Sequence, residues 1–187
     1  MIPYRLNPLG SGWPKESSFG VFLTSSGTAV SSAIVMSGAI VDSDYRQNVY
    51  SHGTARETVV NSGGRLHVSS GGTAYNAVVN GGSLPVYSGG IAYNTVVSAG
   101  WNGVYSGGIT INADIRGGTL ILSGGVASSA TVRAAGSLGI VSGGIAMFPT
   151  VSSGGTMSVR SGCSALSVTS KAGAMIYSSA GAVITYA

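Results

Sequence analysis

Five acids, Glu16, Asp42, Asp44, Glu57 and Asp114, are the whole carboxylate inventory of this chain, and His52, His67 and Cys163 complete its reactive side chains. Cleaving a glycosidic bond takes two carboxylates flanking it, or an acid cluster holding calcium beside a basic group. Asp42, Asp44 and Glu57 are close in sequence, with Arg46, Arg56 and His52 nearby, and are the candidate acidic site. Asp114 lies too far along the chain to join them. It reads instead as a local surface pair with Arg116 across inward Ile115. His52 and His67 are nearly a full repeat apart and lack a third ligand, so no metal or cofactor is expected. A lone cysteine makes no internal disulfide. Serine is plentiful, but no nucleophile-elbow context surrounds it. The glycine pairs are not followed by a lysine or a helix start, so they are not phosphate loops. The expectation is a non-catalytic protein.

Aromatic and amide side chains offer recognition instead. Tyr75 and Tyr93 are separated by the same interval as Tyr87 and Tyr105, with Trp101 beside the latter pair. Exposed aromatic rows can stack on sugar rings or on a partner surface. Asn76, Asn94 and Asn112 keep that interval too, so their amides should form a hydrogen-bonded ladder.

These intervals belong to a repeat running through the chain. A corner motif of the Ser-Gly type recurs at Ser51, Ser70, Ser88, Ser106, Ser123, Ser142, Ser161 and Ser178, with a period of about 17–19 residues. Such a unit is too short to fold alone, so neighbours must stack to make a core. Within each unit small or β-branched apolar residues alternate with polar ones, which sends Ala74, Val79, Leu84 and Val86 inward and Tyr75, Asn76 and Asn80 outward or to corners. The spacing predicts an all-β chain: a single-stranded parallel β-solenoid of about eight to nine coils, with an interior of Ala, Val, Leu and Met. Right-handed winding is the preference of parallel crossovers. Pro149 replaces Thr58, Ala77 or Thr95 of other copies, which puts that slot at a corner.

Residues 1–24 fall outside the period and carry Pro3, Pro8, Pro14, Trp13, Phe19 and Phe22. They are read as an irregular N-terminal cap, and residues 25–187 as the solenoid. Residues 26–34 look like a degenerate first coil. Residues 42–48 read as a polar loop insertion leaving the wall. The last coil stays apolar to Ala187 and should continue or pair with another copy. The net charge of +4 comes from scattered residues with no basic run, which argues against nucleic-acid binding. No stretch approaches a membrane span, and the segment from Met1 to Ser25 lacks the layout of a secretory signal. Export signal and anchor are expected outside this chain.

The strings Ser70-Gly-Gly-Thr-Ala-Tyr-Asn-Ala-Val-Val-Asn-Gly-Gly, Ser88-Gly-Gly-Ile-Ala-Tyr-Asn-Thr-Val-Val-Ser and Thr54-Ala-Arg-Glu-Thr-Val-Val-Asn-Ser-Gly-Gly resemble the passenger repeats of AIDA-type self-associating autotransporter adhesins. The similarity runs over about residues 25–187, is strongest from Gly53 to Gly100, and weakens where Ala99-Gly100, Ala135-Gly136 and Ala172-Gly173 replace glycine pairs. The resemblance implies an extracellular or cell-surface bacterial passenger acting in aggregation, biofilm growth or attachment. Its partners would be other copies of itself, or host and bacterial surface glycans and proteins. It also implies O-glycosylation of repeat serines by a glycosyltransferase, with Ser62, Ser88, Ser106, Ser123 and Ser142 as candidates. The alternative is a carbohydrate-active solenoid of the lyase, hydrolase or tailspike kind using Asp42, Asp44 and Glu57. Ice binding is weaker, because only Thr131, Thr150 and Thr169 form a threonine row.

Overall fold

The computed structural model describes residues 21–25, 28–33 and 35–187. Every regular element among them is a strand, and from Val35 onward strands one repeat apart pair side by side and parallel. A winding has three straight stretches separated by corners. Wall A holds strands such as Thr73–Tyr75, wall B begins at positions such as Val78, and wall C holds strands such as Arg65–Val68 and Thr119–Ser123. The chain is a parallel β-solenoid of about eight windings.

Alternation explains the core. Ala74 pairs with Ala55 and Ala92 on wall A, Val79 with Val60 and Val97 on wall B, and Leu120 with Leu138 on wall C. Each of these side chains is at most 1% exposed. Every buried Val or Leu contributes about 1.5–3 kcal/mol, and Val79 meets valine in the winding above and in the winding below. The interior is nevertheless not purely aliphatic. Gln47 and Asn102 occupy the slot that holds Leu66, Leu84, Leu120 and Leu138 in other windings, and Thr58, Thr95 and Thr110 are also fully buried. The Thr58 hydroxyl donates to Gln47 Oε1 at 2.7 Å. Both amide atoms of Asn102, Nε2 of Gln47 and the hydroxyls of Thr95 and Thr110 have no partner.

Three expectations are corrected. Residues 42–48 do not leave the wall: Tyr45–Val49 is a wall C strand, with Gln47 opposite Leu66 and Val49 opposite Val68. Its inward glutamine disguises the alternation, and the first winding is as long as its neighbours. Residues 26–34 do not make a first coil. Thr28–Ala33 pairs antiparallel with Val21–Ser25, which in turn pairs antiparallel with Tyr45–Val49, so the parallel windings begin at Val35 rather than at residue 25. Of the cap expected over residues 1–24, the first twenty lie outside the described residues; Val21–Ser25 covers the outer edge of the first wall C strand. Finally, Ser178 belongs to a strand opposite Val159, and the corner homologous to Ser161-Gly162 is Ala180-Gly181, whose Gly181 carbonyl accepts from the Gly162 amide.

The corner between walls A and B is uniform. Glu57, Asn76, Asn94, Asn112, Ser129, Phe148 and Ser167 all stand there with φ between 52° and 56°. Asparagine tolerates this left-handed conformation better than most residues, which accounts for the three asparagines. Pro149 follows Phe148 at the same corner, where no ladder amide is required of it.

Candidate binding wall

Wall C gathers the chain's most chemically varied outward side chains. One outward column runs Arg46, Arg65, Ser83, Trp101, Thr119, and the next runs Asn48, His67, Pro85, Gly103, Ile121. At the adjoining corner Tyr87 and Tyr105 stack with ring centroids 5.1 Å apart and planes 9° from parallel. That separation is close to one winding's rise, so the backbone ladder holds the rings in stacking register. His67 meets Tyr87 edge to face at 5.7 Å.

Gly103 gives the wall its relief. A Cβ there would stand 2.2 Å from Cζ3 of Trp101, so the indole lies across the glycine instead of standing off the wall. A glycine inside a strand commonly marks such a close approach. Below it Pro85 has no amide to donate, and the ladder to Arg65–Val68 is interrupted between Ser83 and Val86. The result is a shallow cleft of about 210 Å³ lined by Arg65, His67, Ser83, Pro85, Tyr87 and Trp101. Burial first, and then the charges of Arg46 and Arg65, lower the His67 pKa from 6.5 to about 4. At neutral pH its ring therefore offers one donor and one acceptor.

The aromatic residues expected from sequence fall on two different walls. Trp101, Tyr87 and Tyr105 belong to the wall C cleft or its rim. Tyr75 and Tyr93 stack on wall A, at 4.9 Å and 8°, and the Arg56 guanidinium lies 4.8 Å from the Tyr75 ring centre. Beside them runs the amide ladder: Asn94 Nδ2 donates to Asn76 Oδ1 at 3.2 Å, and Asn112 Nδ2 to Asn94 Oδ1 at 3.3 Å. Sequence reasoning missed Arg65, His67, Ser83 and Pro85 as members of one cleft. Counting one repeat back from Trp101 reaches Ser83 and then Arg65, so the signal was present in the interval.

The acids are dispersed. Asp42 follows the first wall B strand, Ile40–Val41, and accepts from Asn61 Nδ2 at 2.7 Å. Asp44 sits in the following turn with φ 70°, and Glu57 at the A–B corner with φ 53°. No three His, Cys, Asp or Glu side chains among the described residues are grouped to hold a metal. His52 is at a corner, whereas His67 lies within the wall C strand Arg65–Val68. Asp114 serves two arginines: Arg116 Nε donates to it at 2.9 Å, and Arg133 donates from the next winding. Partial burial pushes the Asp114 carboxyl up, but those hydrogen bonds and charges outweigh it and hold the carboxyl below its ordinary 3.8.

Of the candidate serines, Ser62, Ser88, Ser106 and Ser142 are exposed at corners. Ser123 is half-buried, because its winding is one residue short and draws it into the strand opposite Tyr105.

No protein-family model matches the chain, and no curated protein does. Among solved structures the chain is similar to a crystal structure of a TibC-catalysed hyper-glycosylated fragment of TibA, residues 55–350. The identity is 24% and the TM-score 0.60, over 81% of this chain and 84% of that one. The two share the solenoid fold. Among the described residues no helix is long and apolar enough to cross a membrane.

Proposed function

We propose that this chain is a non-catalytic bacterial surface solenoid that mediates cell–cell aggregation or attachment through its walls. The observation that carries the reading is wall C itself. A stacked tyrosine pair and an indole laid over glycine are fixed on a backbone ladder, which leaves little side-chain freedom to lose on binding. The passenger-like repeats agree with surface display. The hyper-glycosylated state of the TibA fragment supports a further part of the reading, glycosylation of the exposed corner serines Ser62, Ser88, Ser106 and Ser142 by a glycosyltransferase.

The test displays the chain on a non-aggregating bacterial host, and sedimentation of the culture and attachment to epithelial cells are measured. Wild type should promote one or both, a Tyr87→Ala/Trp101→Ala/Tyr105→Ala variant should lose most of the effect, and Tyr75→Ala/Tyr93→Ala on wall A should retain it. Display without aggregation or attachment, or a wall C variant equal to wild type, overturns the proposal.

A further inference from the structure

Among the described residues two pairs of arginines stand one winding apart, and one of the pairs is neutralised there by a carboxylate. On wall B, Arg116 and Arg133 share Asp114. On wall C, Arg46 lies directly opposite Arg65 in the ladder, and among the described residues neither has a carboxylate partner. Like charges directly opposite on neighbouring strands are destabilising. The same crowding that wall B relieves with its own acid is thus left open on wall C, beside the cleft that Arg65 lines.

We propose that the wall C cleft binds an acidic saccharide, a pyranose ring lying on the Trp101 indole with its carboxylate paired to the Arg65 guanidinium. Each part of the cleft suits one part of that ligand. The indole, 36% exposed, presents an aromatic face to the apolar side of a sugar ring. Arg65 is exposed, and its planar fork matches a carboxylate bidentately. Arg46 adds a second positive charge one winding away. His67 and the Ser83 hydroxyl supply uncharged polar groups for sugar hydroxyls, burial first and the two arginines second keeping the imidazole neutral. Charge complementarity therefore selects an acidic sugar over a neutral one. The cleft is small and open, which suits one or two residues of a longer polymer rather than an enclosed small molecule.

This inference rests on the adhesive reading of wall C but is tested apart from it, with purified protein in solution. Titration calorimetry compares a galacturonate tetramer with its methyl ester, which has the same rings and no charge. The acid should bind at least about tenfold more tightly than the ester, and the preference should shrink as salt is raised. Arg65→Ala should remove the preference while leaving weak binding of both, Trp101→Ala should abolish both, and Arg160→Ala should change nothing; circular dichroism checks that each variant keeps its strands. Equal affinity for acid and ester, or binding of neither, overturns the inference. If neither binds while sedimentation shows self-association lost on Trp101→Ala, the cleft is a protein contact, and wall-mediated adhesion survives without its saccharide.

Discussion

Replacing Asn102 with leucine should stabilise the solenoid. The side chain is fully buried, neither amide atom has a partner, and the windings on either side place Leu84 and Leu120 in the same slot. An unpaired buried amide costs about 1–3 kcal/mol, and exchanging it for a buried aliphatic chain adds about 1 kcal/mol. Crowding takes some of this back, because a core already packed resists extra volume. The net gain should be about 2–3 kcal/mol. For a chain of this size, unfolding with a slope of about 2–3 kcal/mol per molar urea, that moves the midpoint up by roughly 1 M. The assay is urea unfolding followed by far-ultraviolet circular dichroism, since tryptophan emission would be confounded by neighbouring Trp101. Asn102→Ala serves as the control: it removes the unpaired amide but leaves a gap, and should lie near wild type. A lower midpoint for Asn102→Leu at unchanged slope would refute the reasoning, because the amide would then have to be satisfied in a core that is not dry.

Gln47→Leu should gain less than Asn102→Leu, because it strands the Thr58 hydroxyl that now donates to Gln47; Gln47→Leu/Thr58→Ala should recover the difference, giving non-additive urea midpoints. Gly103→Ala should lift the indole off wall C, and in a Trp13→Phe background, where Trp101 is the sole tryptophan, its emission should shift to the red while the strand spectrum is retained. His67, with its pKa lowered to about 4, takes up protons more readily when unfolded, so its contribution is fully present above pH 6.5 and fades as the pH falls towards 4. His67→Gln should accordingly flatten the stability profile between those values; an unchanged slope there would mean that the imidazole is not held neutral.

The repeat interval makes the architecture legible, because in a stacked coil the same count places a residue in chain, in winding and on a wall. The same count misleads wherever one residue breaks the chemical pattern. Gln47 in a leucine slot makes a regular wall C strand look like a polar loop, and Asn102 in that slot does not read as an inward residue. Ser178 fits a corner by its type, although the glycine that turns the chain is Gly181. The cleft is half legible: aromatic spacing reveals Tyr87, Tyr105 and Trp101, but Gly103 and Pro85 contribute by what they lack, a side chain and an amide, and neither advertises itself. The separation of Tyr75 and Tyr93 from the other aromatics depends on where corners fall within a winding, which the interval alone does not specify.

The uniform left-handed corner has a practical corollary. From Tyr75 to Val78, Tyr93 to Val96 and Met147 to Thr150 the step from wall A to wall B never varies, while the step from wall B to wall C is shorter between Val79 and Leu84 than between Val60 and Leu66. Drift in winding length is therefore confined to the other two edges of the prism, and these are where foreign peptides could be spliced in for display, with the asparagine edge left untouched as the spine that keeps the rungs aligned.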